Sequence, residues 1–314
     1  LSVESVRKFA KELGWPTIAE DPLSFPDAVA HASIFLTSAQ IRAALIPQTV
    51  IVIGRTTLSR SINTFLKLAP TQIVIDPRMA TVDSDRHADK RFMQIPELNT
   101  KTASPEWSEQ WEKYADRAAK SIDALTGFSE AVIAREVAAN LPEGSTLFVS
   151  SSRPIRDLEG FGAPRSGVRT HANRGLAGID GNISTALGIA SASKQTFAVL
   201  GDLSFLHDLT GLIHREDIDC CFIVINNDGG GIFSTLPQRG VDGFESVFGT
   251  PHGLDPAAIA GAMGISASTI SSIDELKKVL KSPVKGISVV VANVASRDEN
   301  ADSLKAIYES MNSI

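Results

Sequence analysis

Several function classes are excluded by what this chain lacks. Only two of its 314 residues are cysteine, Cys220 and Cys221. They are adjacent in one apolar run, which suits neither an ordinary disulfide nor a zinc site. A reducing, cytoplasmic setting is the natural expectation. No apolar run approaches the roughly 18–20 residues that cross a bilayer, and no signal-peptide pattern opens the sequence. Neither sign of charge dominates, since 30 Lys and Arg face 36 Asp and Glu for a net −6. Aromatic residues are scarce and interleave with no basic stripe, so nucleic acid is not an expected partner. The six histidines include no pair at metal-ligand spacing. His171 and His207 are expected to be structural. A G-x-G-x-x-G turn is missing too. Gly54 stands alone after Thr49–Ile53, so the first third of the chain reads as a spacer domain without a dinucleotide.

What is present alternates between strand-like and helix-like segments, and the length implies two domains. Residues 1–104 read as a smaller α/β domain. Its helical pattern Val3-Val6-Phe9-Ala10-Leu13 is stopped by Gly14, and strands are expected at Thr49–Ile53 and Gln72–Ile75 around a helix at Arg60–Leu68. The helix is followed directly by the short run Trp15–Ala19, and the chain opens without methionine. Both features fit an α/β unit that has lost its first strand, as in a piece of a longer protein. The polar stretch Pro96–Glu106 reads as a linker. Residues 105–314 read as a larger doubly wound parallel sheet. Helices are expected at Trp107–Leu125, Ser129–Leu141, Pro256–Met263, Ile273–Leu280 and Ala301–Met311, and strands at Thr146–Val149, Phe197–Leu200, Cys220–Ile225 and Ile287–Val291. The fold class is therefore α/β, with two doubly wound parallel-sheet domains.

The chemistry concentrates where two of those strands end. Phe197–Leu200 runs into Gly201-Asp202-Leu203-Ser204, and Cys220–Ile225 runs into Asn226-Asn227-Asp228-Gly229-Gly230-Gly231. Fully apolar runs of this length are buried parallel strands, and open α/β sheets bind ligands beyond their carboxyl ends. Asp202 and Asn227 would then emerge together. A carboxylate, an amide oxygen and a backbone carbonyl form an all-oxygen set suited to Mg2+ bridging a diphosphate, with Mn2+ as the alternative ion. The three glycines let backbone approach a ligand closely. Taken singly, each piece also reads as an N-cap aspartate or a glycine-rich turn; their spacing favours the cation.

The pattern Gly-Asp-x, some two dozen residues, then Asn-Asn resembles the cofactor motif of thiamine-diphosphate enzymes. Leu203 stands where many members have glycine. Together with Gly230-Gly231-Ile232-Phe233 and Leu236, Asn173-Arg174-Gly175-Leu176-Ala177-Gly178-Ile179-Asp180-Gly181 and Ser152-x-x-x-Arg156, it points to the menaquinone-pathway branch that makes a succinyl-enolpyruvyl-hydroxycyclohexene carboxylate. The resemblance implies that Asp202, the Asn227 side chain and the Gly229 carbonyl hold the metal. Leu203, Ser204 and Gly230 would lie along the diphosphate, with Ile179 and Ile232 against the reactive ring. It further implies 2-oxoglutarate and isochorismate as substrates, which are rich in carboxylates and call for planar cations. Ser152, Arg156, Arg174 and Arg60 are the candidates, with Phe233 and Leu236 as apolar wall. A homodimer or homotetramer is expected, because relatives share sites between subunits. So is a further pyrimidine-binding domain that supplies the activating glutamate; without it the 314 residues alone would be inactive. The rival expectations are an acetolactate-synthase-like carboligase or 2-oxoacid decarboxylase, and a non-catalytic diphosphate-binding regulatory module.

Overall fold

The computed structural model describes residues 1–78, 87–97, 101–175, 177–213 and 217–312. Residues 98–100 of the expected linker and Leu176 of the Asn173–Gly181 motif lie outside them.

The first part runs α1 (Val3–Leu13), α2 (Ala32–Phe35), α3 (Ala39–Ala44), β1 (Thr49–Ile53), α4 (Arg60–Leu66), β2 (Thr71–Ile75) and β3 (Lys90–Phe92). The strands form a parallel sheet in the order β1-β2-β3. Ser2 caps α1 by accepting the Ser5 amide at 3.1 Å, and Gly14 ends it in the left-handed region that glycine tolerates. The apolar stripe of α1 buries Phe9 and Leu13 against Ile73 and Ile75 on one face of this sheet. Trp15–Ala19, the short run that follows α1, is irregular chain whose Thr17 carbonyl accepts the Val29 amide at 2.8 Å.

The second part runs α5 (Pro105–Asp123), α6 (Glu130–Asn140), β4 (Thr146–Val149), α7 (Arg153–Phe161), β5 (Arg169–His171), α8 (Asn182–Ala190), β6 (Thr196–Gly201) and α9 (Asp202–His207). It continues through a 3-10 turn at Leu209–Ile213, β7 (Cys220–Asn226), a second 3-10 turn at Gly231–Thr235, α10 (Pro256–Ala262), β8 (Ser266–Ile270), α11 (Ile273–Lys281), β9 (Ile287–Asn293) and α12 (Arg297–Ser310). All six strands are parallel, in the order β5-β4-β6-β7-β9-β8. Period-2 alternation splits their side chains. Leu147, Phe197, Cys221, Ile223 and Val290 pack beneath α6, α7 and α11, while Phe148, Ala198, Cys220, Phe222 and Val289 pack beneath α8, α9 and α10. The adjacent cysteines therefore face opposite sides of the sheet, and burial pushes both thiols up in pKa, which leaves them inert.

The two parts share a third core. Ile34, Phe35, Ile62 and Phe65 from the first part pack on Trp111, Ala115 and Ile122 of α5 and on Leu304 and Ile307 of α12. Trp111 sits edge-on to Phe35, Phe65 and Trp107 with centroid separations of 5.8, 5.5 and 5.8 Å. This core brings the small sheet to the side of the large one.

Strand order decides where a ligand can enter. From β4 the chain moves outward to β5, then returns past β4 to β6 and proceeds the other way. The connections after β4 and β6 thus leave in opposite directions at Ser150–Ser152 and Gly201–Asp202, the place where open α/β sheets form their ligand crevice.

Candidate functional site

Asp202 leaves β6 as the first residue of α9 and is buried. Gly201 pairs with Ile225 in the β6–β7 ladder, so Asp202 emerges beside Asn226 and Asn227. Its Oδ2 accepts the backbone amides of Asn227 at 3.2 Å and Gly229 at 2.9 Å; Oδ1 accepts the Leu203 amide at 2.7 Å. The two strand ends do converge on one carboxylate. Burial raises the Asp202 pKa, with these donors pulling the other way. His252 Nδ1 accepts the Leu254 amide at 3.0 Å, so the neutral ring carries its proton on Nε2 and donates it to Asp202 Oδ2 at 3.3 Å.

The Asn227 side chain is held from behind. Its Nδ2 donates to Glu130 Oε1, while its Oδ1 is buried without any hydrogen-bond partner. Leaving a buried acceptor unpaired costs about 1–3 kcal/mol, so such an oxygen asks for a ligand. Among the described residues no three His, Cys, Asp or Glu converge as a metal site. A cation here would therefore draw on the mixed carboxylate, amide and carbonyl set that suits Mg2+ rather than Zn2+. The Gly229 carbonyl accepts the Gly231 amide at 3.0 Å and retains its second lone pair.

The glycines serve a purpose the sequence does not reveal. A Cβ on Gly229 would collide with the Gly249 carbonyl, one on Gly230 with the Phe248 carbonyl, and one on Gly231 with Asn227 Nδ2. The close approach is thus to the segment 248–250 and to Asn227. The Gly230 amide also donates to Gly249 O at 2.7 Å, so it is engaged by the protein rather than directed at a diphosphate as its sequence position implies. Ser204 lies in the first turn of α9, with its Oγ accepting Asn182 Nδ2 at 2.8 Å and donating to Ile179 O at 3.2 Å. That bridge fixes the turn carrying Ile179, 39% exposed, over the start of α9, where Leu203 is half-buried.

The chain matches two family models, "Middle domain of thiamine pyrophosphate" over residues 2–149 and "Thiamine pyrophosphate enzyme, C-terminal TPP binding domain" over residues 161–294. The chain belongs to the thiamine pyrophosphate enzymes. Among curated proteins it is similar to the 2-succinyl-5-enolpyruvyl-6-hydroxy-3-cyclohexene-1-carboxylate synthase of Thermobifida fusca, at 38% identity over 86% of this chain and 51% of that protein. The protein of the same name from Bacillus cytotoxicus is 32% identical over 98% of the chain and 57% of its own length. That from Listeria innocua is 34% identical over 96% and 56%. The chain spans about half the length of the curated relatives it matches.

The arginine candidates gather on the side of the small sheet. Ser152 follows β4 with φ 75°, rare for a non-glycine residue, and its carbonyl accepts Arg156 Nη1 at 2.6 Å. Arg156 is depressed in pKa first by burial, then by Arg153 and by Arg60. Arg60 is the first residue of α4, where the helix dipole disfavours a cation. Neither Arg60 nor Arg156 has an ion pair among the described residues; the two cations lie within electrostatic reach of each other, while Asp157 and Glu159 act on Arg156 in the opposite sense. Arg174 differs. Its Nε meets Glu20 Oε1 and Oε2 at 2.9 and 3.0 Å, its Nη2 donates to Thr56 O at 3.1 Å, and Arg55 Nη1 donates to its carbonyl at 2.7 Å. Phe233 stacks at 5.4 Å on Phe248, with Ile232 and Leu236 half-buried beside it. His171 is half-buried on β5, while His207 is exposed rather than a core histidine.

Glu20, Glu130, Arg153 and His252 have no signal in the sequence. Their partners lie 154 residues away for Glu20 to Arg174, 97 for Glu130 to Asn227 and 50 for His252 to Asp202.

Proposed function

We propose that the full-length protein is a thiamine-diphosphate- and Mg2+-dependent synthase of menaquinone biosynthesis, cytoplasmic and a homo-oligomer, that decarboxylates 2-oxoglutarate and joins the resulting succinyl unit to isochorismate. The observation that carries the reading is the meeting of Asp202 with the Asn227–Gly229 turn around a buried, unpartnered Asn227 Oδ1. Asp202, Asn227 Oδ1 and the Gly229 carbonyl are the residues that would hold the metal, with Leu203 and Ser204 near the diphosphate. When bound, the cofactor supplies the electron sink that decarboxylation of a 2-oxoacid needs. The remaining work falls to the chain. Ile179 and Ile232 keep water from the reacting carbons. Arg156, Arg60 and Ser152 receive carboxylates at the crevice between β4 and β6, and Arg174, already oriented by Glu20, exchanges that carboxylate for one of the substrate's. Phe233 and Leu236 wall the ring of the acceptor. Carbon dioxide leaves, and the carbon–carbon bond forms to the isochorismate ring. The relatives' printed name supports the product, whose succinyl, enolpyruvyl and ring carboxylates match a site with several guanidinium groups.

Calorimetry of the full-length protein with thiamine diphosphate and Mg2+, against Asp202→Ala, tests the cofactor half: equal binding by both refutes it. Turnover of 2-oxoglutarate with isochorismate by Arg156→Ala and Arg174→Ala tests the substrate half. Unchanged kcat/KM in both variants would favour a carboligase acting on smaller acids.

A further inference from the structure

Glu130 takes no part in the reading above, yet it is a buried carboxylate held directly behind the site. It is the first residue of α6, with Ser129 as N-cap, and its own amide donates to Asn300 Oδ1 of α12 at 3.0 Å. Its side chain is buried. Arg153 Nε lies 3.5 Å from Oε2, and Arg153 is in turn held by a salt bridge to the fully buried Asp157. The other carboxylate oxygen, Oε1, accepts a hydrogen bond from Asn227 Nδ2. Gly231 closes the remaining space, since a Cβ there would lie 3.1 Å from Glu130 Oε1 and inside contact distance of Asn227 Nδ2.

An asparagine amide is nearly symmetric in shape and opposite in polarity at its two ends. Only its oxygen can serve a hard cation. Something must select which end faces outward. A carboxylate accepts and does not donate, so behind Asn227 it can meet only the NH2 end, which leaves Oδ1 at the opposite end of the amide, buried and bare. We infer that Glu130 is a positioning residue that fixes the orientation of the Asn227 amide and thereby prepares its oxygen for the cation. The inference rests on the metal assignment proposed above.

The guanidinium of Arg153 makes the prediction specific. In Glu130→Gln the new amide must offer its oxygen to Arg153 and so present its NH2 to Asn227. Asn227 then turns its own oxygen inward and its NH2 toward the metal. Mn2+ binding to the full-length protein, followed by electron paramagnetic resonance in the presence of thiamine diphosphate, should weaken by about tenfold or more in Glu130→Gln, the usual cost of removing a group that orients a ligand. Adding Asn227→Asp to that variant should restore binding, because one carboxylate oxygen accepts the glutamine NH2 while the other faces the cation. Rescue of this kind is not expected from a residue that merely supports the fold. Asp202→Ala separates the two layers of the argument. If Asp202→Ala loses Mn2+ while Glu130→Gln binds as wild type, the positioning role is wrong and the metal site stands. If Asp202→Ala also binds as wild type, the metal assignment itself fails. Should Glu130→Gln not fold, Asn227→Asp alone decides, since it sets two carboxylates face to face. Weaker Mn2+ binding than wild type supports the role of Glu130, and equal or tighter binding overturns it.

Discussion

Glu159 offers the sharpest test of the electrostatics. It lies on α7 between the two sheets, 5% exposed, with Oε1 buried and unpartnered. Burial, then repulsion from Glu20, pushes its pKa up from 4.5 to about 8, against weaker help from Thr57, Arg174 and Arg156. In the unfolded chain it titrates near its ordinary value. Between those two pH values the folded state keeps a proton that the unfolded state has released, so stability must fall as pH rises from about 4.5 to about 8 and then level off. At about 1.4 kcal/mol per tenfold change in proton affinity, the displacement corresponds to a loss on the order of 5 kcal/mol. Rearrangement of nearby groups and water entry will reduce it to a few. Glu159→Gln matches the protonated form in shape and cannot ionise. Urea unfolding should therefore find the variant within about 1 kcal/mol of wild type near pH 5 and several kcal/mol more stable near pH 9, with the slope of the transition unchanged. Parallel pH profiles for the two proteins would refute the assignment of a neutral, buried Glu159.

Arg153→Met should cost about 3–5 kcal/mol at neutral pH, because it leaves Glu130 and Asp157 buried without their cation. The cost should shrink as pH falls through about 7, where buried Asp157 takes up a proton in the folded protein; a pH-independent loss in denaturant titrations would point to packing instead. Gly231→Ala should weaken Mn2+ binding by tenfold or more by pressing on Asn227 and Glu130, and wild-type affinity in that variant would mean that the turn can shift at little cost. Ser152→Gly relieves a φ of 75° and should raise stability by up to about 1 kcal/mol while raising KM for the 2-oxoacid. Thermal unfolding and steady-state kinetics check the two halves separately, and lower stability would show that the serine side chain contributes more than its backbone costs.

Much of the fold is legible because central parallel strands are apolar on both faces. β4, β6, β7 and β9 are continuous hydrophobic runs, and their order in the sheet makes them interior. The strands that carry no signal, β3, β5 and β8, are all edges. Lys90–Phe92 and Arg169–His171 are three residues long, and Ser266–Ile270 is largely exposed, so nothing in their composition marks them. Helix α7 escapes detection for a different reason. Its buried face includes Asp157 and Glu159, charged side chains at positions where periodicity looks for apolar ones. At the site, motif residues contiguous with a strand end are visible, namely Asp202 and Asn227. Residues that act on them from another element are not. Glu130 opens α6 and is identical in appearance to any acidic first-turn residue that favours a helix N-terminus. His252 sits in a loop beyond the π-helical turn at 245–249, and only folding reveals that its imidazole meets Asp202.

The same electrostatics explain why one sheet edge can serve a ligand of mixed charge. Beneath the ends of β6 and β7, Glu130, Asp157 and Asp202 are buried with Arg153 as the cation among them, and the carboxyls of all three are raised in pKa chiefly by burial. That end is short of positive charge, and a hard cation corrects it more effectively than a protonated side chain could. Toward the small sheet the imbalance reverses. Arg55, Arg60, Arg156 and Arg174 lie on this side, Glu20 pairs with Arg174, and Arg60 adds to the depression of Arg156 while Asp157 and Glu159 oppose it. An anion alone would be repelled at the first end, and a cation alone at the second. The proposed metal-bound diphosphate beside a carboxylate-rich substrate would satisfy both.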